Sequence, residues 1–197
     1  FPTRRASDLN FRLAKKDLLV VFLLSLLRAT TSFSLLIAYQ NIATGVASTI
    51  HFMYPLAVSL AMMFFFHEKK SLLVMLAVLM SLFGAALLSS GELEAKSGDT
   101  IVGLVAACIS VFSYGGYIIG VRTTRAAQIN STVLTCYVMG MGAVFYLIGA
   151  MATSGLHLVT DGYIWLIILG LALPATAISN ITLVRAIKYA GPTLTSI

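Results

Sequence analysis

Residues 42–70 read IATGVASTIHFMYPLAVSLAMMFFFHEKK. The stretch opens on small and hydroxyl residues, carries His51 and Pro55 near its middle, and runs through Leu, Met and Phe to a charged stop at His67-Glu68-Lys69-Lys70. About 25 residues without Asp, Glu, Lys or Arg are enough to cross a bilayer as a helix. A soluble core helix has no use for Met62-Met63-Phe64-Phe65-Phe66 directly before a basic stop, and those side chains are expected to meet lipid or the bundle surface. The stretch therefore reads as one membrane span, 42–66, with a tight basic loop at 67–70.

The rest of the chain follows the same plan. Of 197 residues, 59% are hydrophobic and 10% charged, whereas a soluble domain carries roughly a quarter charged residues. Such a chain cannot cover a water-facing surface, so the expected class is all-α, a polytopic membrane bundle. Complete spans are expected at 18–40, 42–66, 71–90, 100–121, 131–152 and 163–187, and a seventh begins at 193. The loop 91–99 (GELEAKSGD) and the loop 153–162, with His157 and Asp161, fall on one side. The segment 3–17 and the loops 67–70, 122–130 and 188–192 fall on the other.

The net charge of +6 does not point to nucleic acid, because the basic residues lie between apolar runs and form no patch. Eleven of the thirteen cations (Arg4, Arg5, Arg12, Lys15, Lys16, Lys69, Lys70, Arg122, Arg125, Arg185 and Lys188) belong to one side, and Lys96 alone to the other. The positive-inside rule makes the basic side cytoplasmic, and the expected membrane is the cell membrane of a bacterium. Cys108 and Cys136 lie inside apolar runs and read as small buried residues without disulfide or metal spacing.

Shifting the chain by 148 residues overlays 34–38 (SLLIA) on 182–186 (TLVRA), and 46–48 (VAS) on 194–196 (LTS). Arg28, Thr31 and Ser32 then fall over Thr176, Ser179 and Asn180. Residues 1–90 become the end of one repeat and 98–197 the start of another. Phe1-Pro2 and Ile197 read as cut ends of a longer protein, with roughly 50 residues expected before and 40 after. Five spans per copy, an odd number, forces the copies into opposite orientations, the inverted-repeat plan of many secondary transporters.

The chain resembles the drug/metabolite transporter superfamily, specifically its EamA-type permeases. The resemblance rests on the short entry into ATGVASTIHFMYP (43–55) and the apolar half-span after it, on Glu68 closing that span, on the aliphatic span with Gly84, and on RAIKYAGPTLTSI (185–197) as the equivalent entry of the second half. It covers the whole chain, as spans three to eight and the start of nine. It implies two inverted five-helix repeats and an exporter or exchanger of a small organic metabolite or drug, working by alternating access. It also implies a cavity lined by 18–40, 42–66, 163–187 and the stretch from 193. The degenerate motifs name no substrate.

Several residues are candidates to line such a cavity. Arg28 lies 11 residues past Asp17, roughly 16 Å into the membrane at 1.5 Å per residue. A mid-membrane Arg is costly and marks a functional site by default; the alternative is bonding to helix-end carbonyls or to a water pocket. With no Asp or Glu in any span to pair with it, Arg28 favours an anionic or zwitterionic solute. Arg28, Thr31, Ser32, Leu35 and Tyr39 share one helix face. His51 shares a face with Thr44, Ala47, Ser48 and Pro55, and reads as cavity lining, as a proton carrier, or as a neutral His bonded to a neighbouring helix. Pro55 frees the His51 carbonyl and is expected to kink the helix there, as Pro174 does beside Thr176, Ser179 and Asn180.

Ser113, Tyr114 and Tyr117 read as a second cavity face or as interhelix hydrogen bonding. Gly116 and Gly120, and also Gly140, Gly142 and Gly149, read as packing positions, and Glu68 with Lys69-Lys70 as a loop pair. Metalloprotease, nucleophile-elbow and phosphate-loop motifs are absent, and no cofactor is implied. Two other readings stay open: a membrane-embedded enzyme acting on lipid, and a non-transporting subunit or scaffold.

Overall fold

Long apolar runs without interior charge leave the backbone only one way to satisfy its hydrogen bonds, and the chain is helical accordingly. The computed structural model describes residues 11, 13–67, 98–152 and 160–196, with single helical positions at 76, 79, 80, 83, 84 and 87. The helices are α1 Lys15–Asn41, α2 Thr44–His51, α3 Tyr54–Phe65, α4 Thr100–Thr123, α5 Ser131–Ala152, α6 Gly162–Gly170, α7 Ser179–Ala190 and α8 Pro192–Ser196. A 3₁₀ turn, Arg125–Gln128, joins α4 to α5, and a π-helical stretch, Leu171–Ile178, joins α6 to α7.

Five stretches are long and apolar enough to cross a membrane: Lys15–Asn41, Thr44–Phe65, Thr100–Thr123, Ser131–Ala152 and Gly162–Ala190. Five of the six expected spans thus appear close to their expected bounds. The span at 71–90 falls almost wholly outside the described residues. So do Glu68, Lys69, Lys70, Lys96, His157, Arg12 and the segment before Phe11.

The 42–66 span differs from expectation in being two helices. α2 ends at His51, Phe52 and Met53 turn, and α3 restarts with Pro55 in its first turn. Pro has no N–H to give and tolerates a helix start better than its interior, so the chain breaks one turn ahead of it. Of the Met-Phe run, Met62 is buried while Phe64, Phe65 and Phe66 are exposed.

α4 is the central helix, packed against α1, α2, α3, α7 and α8. Its seam with α1 comes closest at Gly120. A Cβ on Gly120 would stand 2.7 Å from a Leu24 methyl, and one on Gly116 3.6 Å from Leu27. The packing reading of this pair agrees with that. Gly149 likewise faces Phe33, but nothing lies within 4 Å of the Cβ positions of Gly140 and Gly142, so these two admit no close neighbour.

Two apolar clusters hold the bundle. The larger joins Val21 and Leu24 of α1, Val58 and Met62 of α3, Ile118 and Val121 of α4, Leu134 of α5 and Ile187 of α7. The smaller joins Ala38, Ile42, Ala47, Ala106 and Ala107 at the other end.

The two ends differ in chemistry. At one, Arg125 Nε donates to Asp17 Oδ1 at 2.7 Å, Arg122 donates to the Lys188 carbonyl, and Lys188 donates to the Ile129 carbonyl. At the other, the Asp99 amide donates to Asn41 Oδ1 at 3.0 Å and Asp99 caps α4. The described basic residues outside the spans thus gather at one end, as the loop assignment expects. Both cysteines are exposed, which corrects the expectation of burial: an apolar thiol is as well accommodated facing lipid as inside a core.

Candidate functional site

Between the two apolar clusters lies a polar layer built by α1, the α2–α3 break and α4. Arg28 projects from mid-α1, half-buried, with its guanidinium carbon 5.4 Å from the centre of the Tyr114 ring. Its Nη1 donates to Ser32 Oγ at 3.3 Å. Its Nε is buried and has no hydrogen-bond partner among the described residues. Asp17 is engaged with Arg125, and Asp99 and Asp161 cap helices at the ends of spans. No described carboxylate therefore neutralises Arg28.

The magnitudes matter here. An arginine at the centre of a membrane helix costs about 2.5–3.5 kcal/mol on insertion scales. A cation–π contact returns about 0.5–2 kcal/mol. Tyr114 therefore offsets only part of the cost, and Arg28 retains an unspent capacity to bind an anion.

The α2–α3 break places His51 and Tyr54 on either side of a non-helical turn, both facing α4. Ring centres of His51 and Tyr54, and of His51 and Tyr114, lie 5.5 Å apart; Tyr54 meets Tyr114 edge-to-face at 4.7 Å. Tyr117 stacks one turn below Tyr114 at 6.2 Å and is buried.

His51 Nδ1 lies 2.9 Å from Ser110 Oγ. Ser110 gives its only proton to the Ala107 carbonyl at 2.6 Å, so it accepts from Nδ1–H. In neutral His51 the lone pair then sits on Nε2. This hydrogen-bonding network assigns the tautomer. The site combines an under-satisfied cation, an imidazole acceptor and three tyrosine rings. It can grip a carboxylate at Arg28 and pack an organic body against the rings.

The residues expected to line a cavity divide into groups. Arg28, Ser32, His51, Tyr114 and Tyr117 come together. Thr31 is buried and bonds the Leu27 carbonyl. Tyr39 OH and Ser48 Oγ pair at 3.2 Å, tying α1 to α2 nearer the Asn41 end. Pro55 and Ser113 are buried beside the site on α3 and α4. Thr44, expected on the His51 face, is exposed because it opens α2 at the bundle edge.

In the second half, Asn180 is buried and donates to the Thr176 carbonyl at 2.7 Å. Thr176 and Ser179 are exposed, which departs from a cavity-wall placement. Thr176 Oγ1 instead donates to the Leu171 carbonyl, five residues back, at 2.9 Å. That bond supports the π-helical turn around the missing N–H of Pro174.

Tyr54 and Ser110 are site residues that the cavity assignment omitted. Tyr54 is three residues after His51 and Ser110 four before Tyr114, both within the i, i+3, i+4 pattern that picks out one helix face. Helical period alone could have found them.

Among the described residues, no group of three His, Cys, Asp or Glu could hold a metal ion. No family model, curated protein or solved structure matches the chain.

Proposed function

We infer that the chain acts as a secondary active transporter, an exporter or exchanger, for a small organic solute that carries a carboxylate. The single observation behind this reading is Arg28: mid-span, half-buried, its Nε unpartnered and without a described carboxylate to pair with. The solute's carboxylate meets Arg28, and its body lies against Tyr54 and Tyr114. An ammonium group on a zwitterionic solute would find the His51 Nε2 acceptor and the tyrosine faces.

The reading includes two inverted repeats of the EamA type in a cell membrane, with the basic end cytoplasmic. Two features support it. Shifting α1, Lys15–Asn41, by 148 residues gives 163–189, against an observed stretch of Gly162–Ala190; the start of α2 at Thr44 shifts to 192, where α8 begins. α1 also starts at the basic end, through Asp17, whereas 162–190 finishes there, through Lys188. The mates run in opposite directions, as inverted copies must.

The test is flux in proteoliposomes holding the full chain, against a panel of carboxylates, amino acids, amines and neutral solutes, with and without a pH gradient. Saturable flux of one or more carboxylates is expected. Flux confined to amines or neutral solutes, or none above empty vesicles, contradicts the reading.

A further inference from the structure

A groove of about 360 Å³ runs along the outer face of α5, lined by Phe11, Cys136, Tyr137, Gly140, Met141 and Val144. It lies away from the Arg28 layer. Tyr137 OH donates to the Phe11 carbonyl at 2.7 Å, which holds Phe11 at the groove. Gly140 forms its floor, with no atom within 4 Å of its Cβ position. The inner edge is held by Met141, whose sulfur lies 3.6 Å from the Ser25 hydroxyl of α1, which itself donates to the Val21 carbonyl at 2.7 Å.

Depth places the outer part of the groove in one leaflet. Tyr137 lies six residues past Ser131 and Val144 thirteen, roughly 9 and 20 Å from the start of α5. The hydrocarbon of one leaflet is about 15 Å thick, half of the whole core. The groove therefore runs along the direction of an acyl chain, from within the leaflet at the basic end to just beyond the bilayer midplane, with Gly140 inside that leaflet.

The charge that follows Phe11 along the chain selects among lipids. Lys15 and Lys16 open α1 four and five residues after Phe11, both exposed. The N-cap of α1, Ala14, offers no side chain to cap the first-turn amides. The only carboxylate at this end among the described residues, Asp17, is engaged by Arg125. Two free ammonium groups and an uncapped helix start favour a negative headgroup.

We propose that this groove is a binding site for an anionic phospholipid of the leaflet at the basic end, one acyl chain lying over Gly140 and the phosphate meeting Lys15 and Lys16. The proposal is independent of what the Arg28 site carries.

The experiment is native mass spectrometry of the full chain after reconstitution in vesicles of equal phosphatidylglycerol and phosphatidylcholine. Wild type is expected to retain one phosphatidylglycerol in preference to phosphatidylcholine. Two basic side chains near a membrane surface contribute a preference of about 30-fold, so Lys15→Gln with Lys16→Gln is expected to remove most of it while leaving some of either lipid bound. Gly140→Trp, which fills the groove, is expected to lose both lipids. Its elution as a monodisperse peak at the wild-type position separates loss of binding from loss of fold.

Equal retention of the two lipids by wild type overturns the proposal, as does full retention in folded Gly140→Trp. A dimer that cross-links through Cys136 in a Cys108→Ser background also overturns it, by showing that a second copy fills the groove.

Discussion

The stretch Lys15–Asn41 and the stretch Gly162–Ala190 begin and end 148 residues apart to within a residue, and they do opposite things with their middles. In the first, Arg28 turns inward onto Tyr114 and the helix runs unbroken. In the second, at the matching position, Thr176 is exposed and the backbone widens into a π-helical turn. Their neighbours account for the contrast. α1 has α4 and α5 against it along its length, whereas every residue from 161 to 173 is exposed. Helix ends are set by local chemistry; burial is set by what packs alongside.

The largest test of this contrast is truncation at the two matched positions. Arg28→Ala is expected to cut carboxylate flux about 100-fold, the scale of removing one partner of a buried charged contact. Thr176→Val and Ser179→Ala are expected to stay within about twofold. Equal losses in both stretches would show that both face the solute.

Next comes packing, which requires no transport assay. Gly120→Leu must push against Leu24 across the α1–α4 seam, and is expected to destabilise the protein by about 1–3 kcal/mol. Gly170→Leu, in the exposed stretch with open space around it, is expected to stay within about 0.5 kcal/mol. Thermal unfolding of the two variants in the same detergent measures the difference.

A smaller effect separates the two prolines. Pro55→Ala allows α2 and α3 to fuse, which re-aims the helix after His51 and shifts Tyr54 relative to the Tyr114 ring. A misplacement of that kind is expected to cost about tenfold in flux. Pro174→Ala only relaxes the π-helical turn, and its expected cost is threefold or less, roughly within the scale of a local backbone change.

The smallest concerns the ring over Arg28. Tyr114→Leu removes the ring face against which the solute body is proposed to lie, a contact of about 0.5–1.5 kcal/mol, and is expected to weaken solute binding about threefold. Tyr114→Phe keeps the face and is expected to behave as wild type. A loss in Phe equal to that in Leu would move the role from the ring to the hydroxyl.

Much of this architecture can be read along the chain. Apolar runs and charged stops locate the spans, because a bilayer imposes their length. The basic residues sort to one end, as the positive-inside rule expects. Arg28 stands out because an unpaired cation in hydrocarbon has few bland explanations.

Other features depend on contacts the chain does not spell out. Pro55 announces a kink, but the full break at Phe52-Met53 depends on α4 standing behind both halves. Tyr114 could be placed on a helix face; that its ring receives Arg28 depends on the α1–α4 seam closing over Gly116 and Gly120. Thr176 and Ser179 share the polar character of Thr31 and Ser32 yet point elsewhere, because polarity inside a span can serve the backbone as readily as a solute.

The central claim is that Arg28 reads a carboxylate, and the most direct measurement pairs one solute with one side chain. Once the proteoliposome panel identifies a transported acid, its flux and that of its neutral amide are compared in wild type and in Arg28→Gln. Wild type is expected to favour the acid by about tenfold or more, the scale of a charge-assisted hydrogen bond, and Arg28→Gln to transport the two alike. A variant that keeps the wild-type preference for the acid would contradict the claim.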